Sequence, residues 1–219
     1  MGEYDNEPIR GLPAVPPAGE TILWQGAPDW ETLARHAFHL RGLAAYFAVL
    51  VLWLAVSAVT SGPLTPANIL PVIEAAALSG FVVGLLALFA WLIARTTVYT
   101  ITSKRVVMRF GIALPMTLNL PFAKIESAGL KTAADGTGDI PLTLLPSERM
   151  AYLVMWPHVR PWQFKRSQPM LRSIPDAAAA AQILARALAA AADQPAQSMQ
   201  PVRATPAVQG AGPHAAAAA

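Results

Sequence analysis

Two clusters of basic side chains are the strongest candidates for binding chemistry in this chain of 219 residues. Lysine and arginine attract phosphate groups and anionic lipid surfaces, and each contributes about 1 kcal/mol near such a surface. The first cluster surrounds a predicted turn between two strands, and the second shares a loop with bulky aromatic residues. The members are Lys104, Arg105 and Arg109 in the first cluster, and Arg160, Lys165 and Arg166 in the second. Both clusters indicate contact with lipid headgroups or with a protein partner, and the alternative is ordinary solvated charge.

The second cluster lies in a segment rich in tryptophan and proline. Residues 156–164 read WPHVRPWQF, in which Trp156 and Trp162 enclose two prolines. Rigid aromatic side chains anchor protein–protein contacts, and they also settle at the membrane–water interface. We therefore expect this loop to contact a partner or the membrane, with packing against its own domain as the third interpretation.

Two histidines upstream have a spacing that suits a shared ligand. His36 and His39 are three positions apart, which places both imidazoles on one side of a helix. We favour a pair that touches lipid headgroups. The alternative is coordination of a metal such as the magnesium of a bacteriochlorophyll. His158 and His214 lack the spacing of additional zinc ligands, so we predict no metal site.

Signatures of catalysis are absent from the sequence. It has no cysteine, and it lacks the G-x-S-x-G, H-E-x-x-H, Walker A and G-x-G-x-x-G patterns. Only 13% of its residues are charged and 54% are hydrophobic, whereas a soluble domain carries about 25% charged residues. The net charge of +3 is too small to indicate a nucleic-acid binder. We predict a protein that is not an enzyme, needs no cofactor and binds no nucleic acid.

Two charge-free segments are long enough to cross a bilayer. Residues 42–61 and 75–94 contain no charged side chain, and at 1.5 Å per residue each would cover about 30 Å of hydrocarbon. The connector, residues 62–74, contains no lysine or arginine, whereas Arg41 and Arg95 flank the other ends of the two segments. This charge bias predicts a multi-pass protein of the bacterial inner membrane, with a periplasmic connector and both termini in the cytoplasm.

The predicted spans contain no ionisable residue, which argues against a transporter or a proton path. Gly80 and Gly84 form a G-x-x-x-G spacing on the second span, which suits close packing between helices. That contact would form within the hairpin or between two copies of the chain, so a homodimer remains one of two alternatives.

The rest of the chain divides into short strands, helices and two polar tails. We predict disorder over residues 1–18 and 193–219, and a strand followed by a juxtamembrane helix within residues 19–41. Residues 96–192 have the closely spaced strands of a small barrel or sandwich, covered by one final helix. The predicted strands are residues 98–102, 105–110, 116–120, 125–131, 139–145, 150–156 and 170–174, and the apolar stripe of the helix is Ala180, Ile183, Leu184, Ala187 and Leu188.

Two short motifs carry a resemblance to a known family. Residues 99–106 read YTITSKRV, and residues 19–26 read GETILWQG. Both are similar to segments of bacterial membrane-tethered pleckstrin-homology (PH) domain proteins. The resemblance implies an α+β membrane protein, in which a two-helix transmembrane hairpin carries a cytoplasmic PH-like domain. That domain would be a seven-stranded β-barrel or sandwich capped by a C-terminal helix.

Within that family the closer similarity is to the photosynthetic-complex assembly proteins of purple bacteria, through residues 19–39. This resemblance implies a non-enzymatic assembly factor of the intracytoplasmic membrane. Its partners would be subunits of the reaction centre and the core light-harvesting antenna, besides the lipid bilayer. The alternative function is a PH-like lipid-binding module unrelated to photosynthesis.

Overall fold

The computed structural model describes residues 9–148 and 150–192 and has a mixed α+β architecture. Two long apolar helices form a hairpin, and two β-sheets with three shorter helices make up the rest. The predictions for residues 1–8 and 193–219 lie outside the described residues. The helices are α1 (Trp30–His36), α2 (Leu40–Thr60), α3 (Pro66–Thr96), α4 (Tyr152–Met155) and α5 (Ala177–Ala191).

The described strands pair in two antiparallel sheets, and the seven-stranded barrel or sandwich stays a prediction. The first sheet has the order β1-β2-β3-β4, and the second is centred on β7, which pairs with β5, β6 and β8. The strand predicted over residues 125–131 is interrupted, and its two halves pair with different parts of β7. The strands are β1 (Ile22–Gly26), β2 (Val98–Thr102), β3 (Arg105–Phe110), β4 (Met116–Pro121), β5 (Ile125–Ala128), β6 (Lys131–Thr132), β7 (Gly138–Leu144) and β8 (Met170–Ile174).

The strand predicted over residues 150–156 is wrong, because these residues contain the helical turn α4. An alternating strand would turn Leu153 and Met155 toward the same side. In the structure Met155 is buried in the core, whereas Leu153 is 85% exposed. Periodicity cannot separate a helix from a strand in so short an apolar run, and one helical turn buries Met155 alone.

The juxtamembrane helix predicted within residues 19–41 is broken. The carboxylate of Asp29 accepts a hydrogen bond from the backbone N–H of Thr32 at 2.8 Å and starts α1. His39 then has a φ of 50°, in the left-handed region, before α2 begins at Leu40. The break lets α1 turn so that Leu33 packs against Ile93 and Ala94 of α3. Residues 19–41 therefore form a strand and a short helix that is separate from α2.

The connector between the long helices is shorter than predicted. Helix α3 already begins at Pro66, so residues 66–74 are helical. Proline suits the first position of a helix because it has no N–H to lose there. Asn68 fixes the turn, since its Oδ1 accepts the backbone N–H of Thr65 at 2.7 Å and its Nδ2 donates to the carbonyl oxygen of Ala58 at 3.4 Å.

The N-terminal segment covers the outer face of the first sheet. The prediction of disorder for residues 1–18 does not hold for residues 9–18, where Leu12 is only 2% exposed. Gly11 approaches Val98 so closely that an added Cβ would lie 2.6 Å from its Cγ1. Gln25 ties the segment down, because its Nε2 donates both to the carbonyl oxygen of Arg10 at 2.8 Å and to Oγ1 of Thr100 at 2.9 Å.

Helix α5 closes the other side of the core. Asp176 caps it by accepting from the N–H of Ala179 at 3.4 Å. The predicted stripe faces inward: Ala180, Leu184 and Ala187 are buried among the strands' apolar side chains. These strand residues include Tyr99, Ile101, Met108, Leu120, Ile140, Leu142, Leu171 and Ile174.

We expect Leu184→Ala to lower the free energy of unfolding by about 2–5 kcal/mol, because it leaves a cavity in a filled core. Arg186→Ala, on the exposed side of the same helix, is the matched control and should change it by less than about 0.5 kcal/mol. Thermal unfolding in detergent, followed by tryptophan fluorescence, measures both. Equal melting temperatures would contradict the packing described for α5.

Candidate functional site

A group of bulky apolar side chains is exposed along one border of the domain. Leu153 and Trp162 are each 85% exposed, and Phe164 is 62% exposed. Phe164 connects them, since its ring centroid lies 4.6 Å from Tyr152 in α4 and 6.3 Å from Trp162. We call this surface the apolar edge; it comprises Leu153, Val154, Trp156, Trp162 and Phe164.

The apolar edge lies where the two long helices join the domain. Trp156 packs edge-on against Phe38, with 5.5 Å between ring centroids, and Phe38 precedes α2 by two residues. Beside it, a cleft of about 180 Å³ opens between α4 and the paired ends of β3 and β4. Met116, Met150 and Val154 line the cleft. Apolar walls suit an aliphatic chain or an apolar side chain rather than a polar metabolite.

A buried histidine holds the base of this loop. The Nδ1 atom of His158 lies 2.6 Å from the hydroxyl of Tyr99, and its Nε2 atom lies 3.2 Å from the hydroxyl of Thr97. The Tyr99 oxygen also accepts the backbone N–H of Arg172 at 3.2 Å. In the neutral imidazole one ring nitrogen donates and the other accepts, so each of these two contacts can be satisfied.

The surroundings keep this imidazole neutral. Burial, with a smaller contribution from the nearby charge of Arg172, lowers the pKa of His158 to about 3. Burial likewise raises the pKa of the Tyr99 hydroxyl above its ordinary value. Neither side chain opens to solvent, so the arrangement fixes the loop to the first residues after α3 and performs no acid–base chemistry. Its signal in the sequence is a histidine within a loop of aromatic residues and prolines, a pattern that does not distinguish a buried histidine from an exposed one.

The basic residues of the β2–β3 hairpin do not form one patch. Arg105 is bound to Glu20, with 2.7 Å between Nε and Oε1. Burial disfavours the Glu20 carboxylate, but hydrogen bonds from Arg105 and Thr102 outweigh it and hold the pKa of Glu20 below its ordinary value. Arg109 is only 8% exposed. Lys104 is exposed, but it lies about 20 Å along β2 from the end of α3.

The loop cations serve mainly to hold the loop. Arg166 donates to Oε2 of Glu126 at 2.6 Å and to the carbonyl oxygen of Leu144 at 2.6 Å. Arg160 donates to Oε1 of Gln168 at 3.0 Å, whereas Lys165 is exposed. The structure thus uses most of the predicted binding cations in internal contacts.

The structure does not place the two predicted histidines on one helical face, and it does not pack the two predicted glycines against α2. His36 ends α1 and His39 lies in the break, so they do not share a helical face. Among residues 9–148 and 150–192, no group of three His, Cys, Asp or Glu side chains is placed to hold a metal. Gly80 and Gly84 face away from α2, since an added Cβ would meet nothing within 4 Å. Contact between these glycines and α2 is therefore wrong, and contact with another helix stays a prediction.

The buried histidine predicts a specific pH dependence. Its pKa is lower in the folded chain than in the unfolded chain, so only the unfolded state takes up a proton between about pH 6.5 and 3. This contribution to stability is complete above pH 6.5 and is lost as the pH falls, by up to about 1.4 kcal/mol per pH unit. We expect His158→Gln to remove that slope and exposed His36→Gln to retain it. Melting temperatures between pH 7 and 4 provide the test, and identical slopes for wild type and His158→Gln would refute the assignment.

Comparison with known proteins places this architecture in a family. The chain is 41% identical over 198 residues to a Rhodobacter capsulatus protein described as an uncharacterised 23.7 kDa protein in the puhA 5′ region, with 88% of this chain and 91% of the relative covered. No solved structure matches the chain. The profile of the Bacterial PH domain family matches residues 38–188, which include both long helices and nearly all of the strands. The chain therefore belongs to the bacterial PH domain family.

Proposed function

We propose that this protein is a non-enzymatic assembly factor for the photosynthetic reaction centre and its core light-harvesting complex. It would be anchored in the bacterial inner, intracytoplasmic membrane by α2 and α3, with both termini in the cytoplasm. It would bind subunits of the complex while they are being assembled.

The observation that carries the proposal is the apolar edge. Contiguous apolar patches on protein surfaces mark sites of protein or membrane contact. Trp162 and Phe164 are rigid aromatic side chains, which supply binding energy with little loss of conformational freedom. The edge contacts Phe38, two residues before the start of α2, so a partner bound there would lie against the membrane surface. A subunit with one segment in the bilayer and another in the cytoplasm fits that position.

The photosynthetic context comes from the relative in Rhodobacter capsulatus. That protein is named for its place in the puhA 5′ region, and this neighbourhood hints at photosynthesis. Its similarity extends over most of both chains, so a shared role is a reasonable basis for the proposal. The PH-domain family is typically non-catalytic, which agrees with the lack of catalytic motifs in the sequence.

Membrane anchoring is supported by the length and composition of the two helices. Both are long and apolar enough to cross a membrane, and most of their apolar side chains are exposed rather than packed inside the protein. Arg41 and Arg95 lie near the ends that join the domain, whereas residues 61–74 have no lysine or arginine. The positive-inside rule then assigns the domain to the cytoplasm.

The alternative function, a PH-like module that binds the phosphate groups of lipids, has less support. Such a module needs free cations grouped near the membrane, but Arg105 is bound to Glu20 and Arg109 is largely buried. Lys104 lies at the far end of β2 from α3.

The apolar edge can be tested by co-purification from a phototrophic membrane. We expect the tagged wild-type chain to recover reaction-centre or antenna polypeptides, and Trp162→Ala with Phe164→Ala to lower that recovery roughly tenfold or more, as loss of an interface hot spot does. Val15→Ala, an exposed apolar residue outside the edge, and Lys104→Ala should leave it unchanged. Failure of wild type to recover these polypeptides would refute the function; unchanged recovery by the double variant would refute only the role of the edge.

Membrane anchoring has its own test. We expect the chain to stay with the membrane after extraction with alkaline carbonate, which removes peripheral proteins, because α2 and α3 expose apolar side chains along their length. Immunoblots of the pellet and supernatant provide the measurement. A soluble chain after extraction would show that the helices do not span the bilayer.

A further inference from the structure

The two long helices are offset along their axes, and this offset determines the depth of the carboxylate of Glu74. At the connector, Asn68 contacts Ala58. At the other end, Leu33 of α1 packs against Ile93. The contact of Asn68 with Ala58 sets the antiparallel register of α2 and α3, counted at 1.5 Å per residue. In that register Glu74 lies level with Leu52, close to the middle of α2.

Glu74 points away from the hairpin. Ser79, at a level of α3 that lies alongside α2, is buried, and it is about 140° around the helix from Glu74 at 100° per residue. Glu74 is exposed, and Phe81 on the same side is 66% exposed. Once the hairpin crosses a bilayer, this carboxyl group therefore faces lipid or another helix.

The register also limits where the bilayer can lie. The level of Glu74 and the level of Arg41 are separated by only about 16 Å, roughly half of the hydrocarbon thickness. A shift that brings Glu74 to the surface would draw His39 and Arg41 into the hydrocarbon, followed by Arg35. A shift of the hydrocarbon layer in the opposite direction leaves only Glu74, of the ionisable groups just named, inside it. The placement centred on α2 therefore buries the fewest ionisable groups, and it sets Glu74 near the midplane.

An ionisable group at that depth needs a partner. Isolated charge is costly in hydrocarbon, and such residues pair with other groups or line functional paths. Within residues 9–148 and 150–192, Glu74 makes no hydrogen bond or ion pair. The partner therefore has to come from outside the described part of the chain.

We infer that Glu74 is a docking point for a transmembrane helix of another polypeptide, one that carries a hydrogen-bond donor or a cationic side chain near mid-bilayer. Ala77, three residues from Glu74, and Gly84, ten residues from it, lie on the outward side of α3 and are exposed. Small residues let two helix backbones approach closely, so that a central polar pair can form. A second copy of this chain is the poorer occupant, because it would bring two carboxylates together. The inference rests on the membrane anchoring in the proposed function but not on the identity of the partner.

The depth of α3 is tested first with single cysteines, since the chain has none of its own. Ile73→Cys keeps Glu74 in place, and Leu64→Cys in the connector is the matched control; both positions are exposed. With a membrane-impermeant maleimide we expect Cys at 64 to react at least tenfold faster than Cys at 73. Equal rates would place Glu74 at the surface and overturn the inference, while a chain that still resists carbonate extraction keeps the anchoring intact.

The docking contact is tested with a photoreactive amino acid at Phe81 in the full-length chain in its native membrane. We expect a crosslink to a transmembrane segment of another polypeptide, with a donor or cationic side chain near its middle, identified by mass spectrometry. Glu74→Leu should reduce that crosslink at least tenfold, and Ile73→Leu is the matched control that should leave it unchanged. A crosslink kept by Glu74→Gln indicates a neutral donor, and one lost with it indicates a cation; both support the inference.

Three outcomes would overturn it: no polypeptide crosslink, a crosslink only to a second copy of this chain, or a crosslink that Glu74→Leu leaves unchanged. Carbonate extraction of each variant shows whether it is still inserted in the membrane. An inserted Glu74→Leu variant that keeps the full crosslink refutes the docking point and leaves the proposed function untouched.

Discussion

The hydrogen bonds of His158 join the end of α3, the strand β2 and the aromatic loop. The imidazole bridges Tyr99 and Thr97, which lie at the junction of α3 and β2. The same residue follows Trp156 and Pro157, so it also fixes the start of the aromatic loop. Arg172 of β8 adds a second tie, because its Nη1 donates to the carbonyl oxygen of Pro157 at 2.9 Å. The end of α3 is therefore tied to the loop that carries the apolar edge through a buried, neutral contact.

Local sequence patterns predicted the elements whose signals are local. The bounds of β2, β3 and β8 agree with the prediction, because β-branched residues and a tight turn at Ser103 define them without help from the rest of the chain. The stripe of α5 was equally clear. The start of α3 was missed because residues 66–74 contain two prolines and a glutamate, which mimic a loop, while the cap of Asn68 depends on tertiary contact.

The candidate site was predicted in part, and the errors have one cause. Residue type indicated that arginines in turns and loops would be available for ligands. It could not indicate that Glu20, 85 positions away, would bind Arg105, or that Glu126 would bind Arg166. The aromatic loop carries exposed rings at Trp162 and Phe164, and its contact with a partner or the membrane stays a prediction. A single sequence does not show which residues that are distant in the chain form ion pairs with each other.

The covering of the first sheet by residues 9–18 also matters for handling the protein. Leu12 and Gly11 lie over a face that includes Val98, Thr100 and Val107, all of them buried. A shortened version that starts at β1 would expose this face to solvent. An exposed sheet surface of this kind favours aggregation. Recombinant versions that keep residues 9–18 retain the segment that shields the buried face of the sheet from water.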